Sequence, residues 1–264
     1  MCTVSLIPWS ASSGGGGGGG APGYRLVHNR DELRTRAPGL GPSEAPTGVP
    51  GVTLRRPIDP DSGGTWIATT DLGLTLCVLN VNPPPSSGQN ERRSGAPRSR
   101  GLLIPAIVEV EPGMAPSRLG AALLDRLGGE DGLRAFAPFR LLAVGSEAGG
   151  ELSAWSAIWV DGRLEVGPWG GCGRLGAICA VSSGLGDEAV AARVPLFEVM
   201  VAGDPRPAAQ DLFHRHRWAD RPELSVRMSR ARARTVAITT VEVAPGAGVV
   251  RMRYEPLPEE PPPG

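Results

Sequence analysis

Lysine is absent from this chain of 264 residues, and all 27 basic residues are arginine. Acidic residues also number 27, so the formal net charge is zero. No excess of one sign favours binding to nucleic acid or to a charged membrane surface. No apolar run approaches the ~18 residues that a membrane-spanning helix needs, and the start lacks the basic and long apolar segments of a secretory signal. We therefore expect a cytoplasmic protein with no membrane span and no nucleic-acid partner.

Cysteine is also scarce, with four residues at Cys2, Cys77, Cys172 and Cys179. No CxxC pair occurs, and no matching histidine pair lies near Cys172 and Cys179, so the spacing predicts neither zinc nor another metal. His214 and His216 make a poor metal pair, and we expect both to be exposed. Cys77 lies in an apolar run and is expected in the core. We predict no disulfide and no cofactor.

The chain does contain a cysteine directly after the initiator methionine. Removal of Met1 would leave a thiol and a free α-amine on Cys2, which then carries a nucleophile and its base on one residue. An α-amine has a pKa of roughly 7.7–8.0, close to neutrality. A Met-Cys start taken alone is more often a small apolar residue that opens a strand.

Further motifs support the chemical interpretation of Cys2. Segment 25–36 contains the tetrapeptide Asn-Arg-Asp-Glu at 29–32, and it is followed by motifs at 63–67 and 79–82 and by weaker matches at 182–187 and 233–236. Together with Met1-Cys2-Thr3-Val4, this set resembles the NRDE family, which includes eukaryotic transport-and-Golgi-organisation proteins. That family is similar to the N-terminal-nucleophile (Ntn) hydrolases, near the bile-salt hydrolases and penicillin V acylases.

The resemblance implies a four-layer αββα sandwich of two antiparallel sheets, whereas the sequence pattern alone predicts only an α+β fold. It also implies a site whose catalytic residues are Cys2, Arg30, Asp31, Asn80 and Arg234. The implied substrate contacts are Asn29, Trp66, Asn82 and Ser183.

The implied roles follow from the related acylases. Arg30 would lower the pKa of the thiol and Asp31 would hold the amine. Asn80, in preference to Asn82, would donate to the oxyanion, and Arg234 would match the distal arginine that closes the acylase site. The register leaves Asn29 as an alternative contact to Cys2. Without the family, Arg30 and Asp31 are more typical of a surface ion pair.

One departure concerns the middle of the chain. The acylases have an asparagine there, and this chain has Ser182-Ser183. A serine hydroxyl can donate a hydrogen bond but reaches less far than an amide, which puts full catalytic competence in question.

We predict a single domain over 1–255, with flexible loops at 10–23 and 83–100 and a disordered proline-rich tail at 256–264. Segment 38–60 is rich in proline and glycine and is predicted to be a loop. Helices are predicted at 117–127, at 187–201 with an interruption at Pro195, and at 207–216. Strands are predicted at 2–7, 24–29, 65–70, 74–79, 139–144, 154–160, 177–182, 225–228, 235–243 and 249–254.

These features predict an NRDE-type Ntn protein, a hydrolase or acyl transferase that acts on a small amide or acyl substrate through Cys2. The alternative is a non-catalytic Ntn scaffold that binds or carries a small ligand such as a lipid or haem. A third interpretation makes Cys2 purely structural. The Golgi association of eukaryotic relatives gives no guidance for this chain.

Overall fold

A computed structural model describes residues 2–9, 22–82, 97–171, 173–244 and 249–262. The strands in these ranges are β1 (Cys2–Trp9), β2 (Gly23–Leu33), β3 (Leu40–Pro46), β4 (Thr53–Ile58), β5 (Ile67–Thr70), β6 (Thr75–Asn80), β7 (Phe139–Ser146), β8 (Leu152–Val160), β9 (Arg163–Pro168), β10 (Ile178–Ser182), β11 (Ala233–Val243) and β12 (Val250–Pro256). The α-helices are α1 (Leu103–Val108), α2 (Leu119–Leu127), α3 (Glu130–Leu133), α4 (Arg193–Phe197) and α5 (Pro207–Arg215). A π-helical turn, Glu198–Ala202, continues α4.

The strands form two antiparallel sheets. The five-stranded sheet has the order β10-β1-β2-β11-β12, and the seven-stranded sheet runs in sequence order from β3 to β9. Strand β1 is internal, so its first residue has a neighbour on each side: Cys2 lies opposite Arg30 of β2 and opposite Ser182 of β10. The sheet therefore brings three distant parts of the chain together at Cys2.

The side chains of β1 alternate between two environments, as the period of a strand requires. Cys2, Val4 and Leu6 face inward and pack with the seven-stranded sheet in the core between the sheets. Ile7 lies on the opposite face, among the side chains of α4, the π-helical turn and α5. Cys77 is fully buried between the sheets, as predicted.

Helices cover the outer face of each sheet. Leucines of α1 and α2 pack against the outer face of the seven-stranded sheet, as Leu103 and Leu123 do with Leu76. Each buried leucine contributes about 1.5–3 kcal/mol. Phe197 of α4 and Phe213 of α5 cover the five-stranded sheet. The order helix, sheet, sheet, helix confirms the predicted αββα architecture.

Several elements differ from the sequence-based prediction. The predicted loop 38–60 contains β3 and β4, and neither β9 nor α1 was predicted. Strand β3 is mostly exposed and lies at a sheet edge, where proline is tolerated and no apolar alternation is required. Segment 225–228, predicted as a strand, is a bend that follows a turn at 222–224, and the Ser225 N–H donates to the Pro222 carbonyl at 3.4 Å.

The predicted flexible loops at 10–23 and 83–100 lie mostly outside the described residues. The proline-rich end makes contacts with the rest of the fold as far as Glu260, in contrast to the expectation of a disordered tail. Leu257 is buried against Val27 and Ile238, and the Glu260 carboxylate accepts hydrogen bonds from Arg217 and Arg227. No helix in the described part of the chain is long and apolar enough to cross a membrane.

Candidate active site

Cys2 is buried at the inner end of β1, with 7% of its surface exposed. Its backbone nitrogen donates a hydrogen bond to Ser182 Oγ at 3.2 Å. Burial raises the pKa of the thiol, and the carboxylates of Asp31 and Glu32 act in the same direction. A hydrogen bond from the Asp31 backbone N–H acts against this rise. The thiol is therefore mostly protonated at neutral pH, and it needs a base to become a nucleophile.

Asp31 places a buried carboxylate beside Cys2. Its Oδ1 accepts a hydrogen bond of 2.6 Å from Thr235 Oγ1. A register shift in β11, between Thr235 and Ala237, accompanies this placement of Thr235 opposite Asp31. Asp31 Oδ2 has no hydrogen-bond partner among the described residues. Burial raises the pKa of this carboxyl, while nearby arginines and the Thr235 hydroxyl act to lower it.

Two arginines that the sequence analysis did not single out lie around Asp31. The guanidinium of Arg193, at the start of α4, is fully buried with its Nη1 3.7 Å from Asp31 Oδ2. Arg230 donates from Nη2 to Ser183 Oγ at 3.0 Å and also acts electrostatically on Asp31. Arg193 follows a run of alanines and valines, and no sequence signal indicated that its side chain turns inward.

Arg30 lies opposite Cys2 on β2, but its guanidinium makes its contacts elsewhere. It stacks over the ring of Trp66, 4.3 Å from the ring centroid. Its Nη2 lies 3.5 Å from Glu32 and 3.7 Å from Asp59. Arg30 Nη1 has no hydrogen-bond partner among the described residues. Arg30 and Trp66 therefore form one wall beside Cys2, and the pKa of the thiol is raised rather than lowered in this setting.

The two candidate oxyanion donors are placed differently. Asn80 ends β6, where strand alternation groups it with Leu76 and Val78 on the side that faces the outer helices. Asn82 Nδ2 donates to Asp187 Oδ1 at 3.4 Å, and the same oxygen accepts the Ser183 N–H at 2.9 Å. Asn82 is thus connected to the end of β10, where Ser182 lies opposite Cys2.

Asn29 and Arg234 are not brought to Cys2. Arg234 Nη1 donates to the carbonyls of Leu257 and Pro258, at 3.2 and 3.0 Å, and so holds the C-terminal segment. Asn29 lies on the helix-facing side of β2, where its amide donates to the carbonyls of His214 and Val226 at 2.9 and 3.0 Å.

The expectation that His214 is exposed was wrong, because its side chain is fully buried on α5. Its Nδ1 lies 2.8 Å from Asn29 Oδ1 and its Nε2 lies 2.7 Å from Ser5 Oγ. The Asn29 oxygen can only accept, so Nδ1 carries the proton and Nε2 accepts from Ser5. This order resembles a nucleophile, a base and an orienting group. All three side chains have no exposed surface, and we assign them a structural role.

Two other features were considered as sites. A groove of about 690 Å³ includes Arg25, Arg55 and Asp211 in its lining, but neither Cys2 nor Asp31. Two of its arginines are paired: Arg25 contacts Asp211 at 2.7 Å and Arg55 contacts Glu44 at 2.9 Å. Among the described residues, no group of three histidine, cysteine or acidic side chains could hold a metal ion.

Comparison with known proteins gives limited information. No protein-family model matches the chain, and no curated protein matches it. A solved structure, the Caenorhabditis elegans ortholog of N-acylethanolamine-hydrolyzing acid amidase, is similar with a TM-score of 0.40 and 9% sequence identity, covering 90% of this chain and 91% of that chain. At this level the likeness carries no argument about activity. The functional argument therefore depends on the geometry around Cys2.

Proposed function

We propose that this chain is an Ntn-type amidohydrolase or acyl transferase of the NRDE kind, which acts through Cys2 on a small amide or acyl substrate. The observation that carries the proposal is the environment of the Cys2 nitrogen. That nitrogen is held by Ser182 Oγ at 3.2 Å, and the neighbouring Asp31 carboxylate keeps one oxygen without a partner. A free α-amine, with more hydrogens than an amide, would supply a donor for that oxygen.

The proposed reaction requires that Met1, and anything else ahead of Cys2, be removed. The α-amine then takes the thiol proton while Sγ attacks the substrate carbonyl carbon and the carbonyl π electrons move to its oxygen. In this mechanism Asn82 donates a hydrogen bond to the oxyanion, since its side chain is connected through Asp187 to the end of β10. When the intermediate collapses, the bond to the leaving amine breaks and the α-ammonium gives its proton to that amine. Water, or an acceptor amine in the transferase case, then releases the acyl group from the thioester.

The first experiment is the intact mass of the purified protein. Loss of Met1 supports the proposal, whereas a retained Met1 leaves the Cys2 nitrogen acylated and contradicts the mechanism. The second experiment is a screen of fluorogenic amides and activated esters with the wild type, Cys2→Ala and Cys77→Ala. Cys77 is a matched control because it is a fully buried cysteine of the same core.

We expect Cys2→Ala to abolish turnover and Cys77→Ala to retain it. Turnover that survives in Cys2→Ala would contradict the proposal. The non-catalytic scaffold predicts a different outcome. The protein would lack Met1 and show no turnover, and it would bind a small ligand such as a lipid or haem equally well with and without the Cys2 thiol.

A further inference from the structure

We propose that Arg193 is a positioning residue of this site: it fixes the Asp31 carboxylate and sets the pH at which the Cys2 amine becomes available as a base. This inference rests on the proposed function and adds to it a residue that lies on the far side of the sheet from the core containing the thiol. Arg193 acts through Asp31 and is not expected to touch the substrate.

The guanidinium of Arg193 is held firmly against β1. Nη1 donates to Thr3 Oγ1 at 2.8 Å and Nε donates to the Leu224 carbonyl at 2.9 Å. Thr3 is the residue after Cys2, so one strand carries both the nucleophile and the anchor of this arginine. The same Nη1 that donates to Thr3 lies 3.7 Å from Asp31 Oδ2. That separation joins the two charges electrostatically without a direct hydrogen bond.

Asp31 and Arg193 each retain an atom that makes no hydrogen bond. Among the described residues, Asp31 Oδ2 accepts none and Arg193 Nη2 donates none. Both side chains are buried, at 1% and 0% side-chain exposure. A buried carboxylate oxygen without a hydrogen bond lowers stability. A free Cys2 amine that donates to Oδ2 would supply the missing hydrogen bond, while the guanidinium of Arg193 balances the negative charge.

The electrostatic consequence has a definite sign. Asp31 and the Cys2 amine would titrate as a coupled pair. The relevant pKa is the macroscopic value for loss of the last proton that the two groups share, and it belongs to the pair and not to either group. A fixed positive charge beside the pair favours loss of that proton, so Arg193 lowers this pKa. Removing Arg193 must therefore raise it, whichever of the two groups holds the proton.

Other titratable groups act on the pair or on its arginines. Glu32 on β2 acts on the Cys2 thiol, the thiols of Cys2 and of Cys179 on β10 act on Arg193, and Glu223, in the segment before β11, acts on Arg230. Arg230 also acts on Asp31, but it is partly exposed, so solvent weakens its influence. Arg193 has no exposed surface, and its effect on the pair is screened least.

The test uses the full chain released from a fusion partner cleaved directly before Cys2, so that the amine is free whatever the cell's processing. The variants are Arg193→Met, Arg193→Lys and Thr3→Val. The first readout is the rate of reductive methylation of the residue-2 amine from pH 5 to 9 in a Cys2→Ser background, because formaldehyde would close an N-terminal cysteine to a thiazolidine; it is followed by peptide mass spectrometry. The second is the pH dependence of kcat/KM on the best amide substrate.

We expect Arg193→Met to move the midpoint of amine methylation, and the acid limb of kcat/KM, upward by about one pH unit or more. Arg193→Lys should restore a midpoint close to the wild type because it keeps the charge. Thr3→Val, which removes the anchor of Nη1, should shift the midpoint in the same direction by less.

An unchanged midpoint in a folded Arg193→Met variant would overturn the proposal, as would Arg193→Lys behaving like Arg193→Met. If Arg193→Met does not fold, an unchanged midpoint in Thr3→Val overturns it instead. The methylation midpoint does not depend on turnover. A failure of the proposed function, seen as no Cys2-dependent turnover, is therefore distinguishable from a failure of the role of Arg193.

Discussion

Acid sensitivity of the fold can be predicted from His28, a fully buried histidine on β2. Neither of its ring nitrogens has a hydrogen-bond partner among the described residues. Burial lowers the pKa of His28 from 6.5 to about 3. Burial also lowers the pKa of His214 well below its ordinary value. Both imidazoles are therefore neutral in the folded protein at pH values where the unfolded chain takes up protons.

The sign of the effect follows from proton binding. Below pH 6.5 the unfolded state binds a proton at each histidine and the folded state does not, so the free energy of unfolding falls as pH falls. The stabilisation is fully present above pH 6.5 and declines towards pH 3 for His28. Each histidine contributes a slope of about 1.4 kcal/mol per pH unit in this window, or about 2 kcal/mol between pH 7 and 5. Asp31 opposes this trend, because its raised pKa makes the folded state bind a proton first.

The assay is urea unfolding of the wild type and His28→Leu at pH 7, 6 and 5. Leucine fills a similar volume and needs no hydrogen bond, so we expect the variant to be at least as stable as the wild type at pH 7. We also expect the difference in its favour to grow by about 2 kcal/mol at pH 5. Equal m-values would show that both proteins unfold between comparable states. The same acid slope in both proteins would refute the assignment of His28 as a buried neutral imidazole.

Three further predictions concern packing and hydrogen bonds of the fold. A Cβ on Gly39 would lie 2.6 Å from Trp66 Cη2, so Gly39→Ala should displace the indole and lower the free energy of unfolding by about 1–3 kcal/mol, measured by urea unfolding. Tyr24→Phe loses hydrogen bonds to the Gly73 carbonyl at 2.9 Å and to a threonine hydroxyl at 2.6 Å, and should cost about 1–2 kcal/mol in the same assay. Arg234→Ala should loosen the C-terminal segment, measured as faster amide exchange there, and should leave the alkylation rate of Cys2 unchanged. A changed alkylation rate would show that Arg234 contributes to the active site.

Much of the strand framework could be predicted from the sequence because it depends on local alternation. Strands such as β1 and β6 carry apolar residues on the faces that meet between the sheets, so their existence follows from composition over a few residues. Strand β3 could not be predicted, because an exposed edge strand has no buried face to leave a pattern. The interruption predicted at Pro195 does not fall there: Pro195 lies inside α4, and the change to a π-helical turn comes three residues later at Glu198.

The candidate site divides in the same way. Cys2 and Asp31 could be singled out from the first residues and the NRDE tetrapeptide, because both residues belong to short motifs that are recognisable in the sequence itself. Arg193 could not, since a single arginine in a helix gives no sign of which way it points. Its position against Thr3 and Asp31 results from the packing of α4 on the five-stranded sheet.

Ser182 illustrates the remaining division. The sequence determined that residue 182 is a serine, and therefore which hydrogen bonds its side chain can make. Only the tertiary structure decided that β10 runs antiparallel to β1 in a register that sets Ser182 against the Cys2 nitrogen. Sequence fixes the donors and acceptors that a residue carries, whereas contacts between residues 180 positions apart in the chain depend on the cooperative packing of both sheets and their helices.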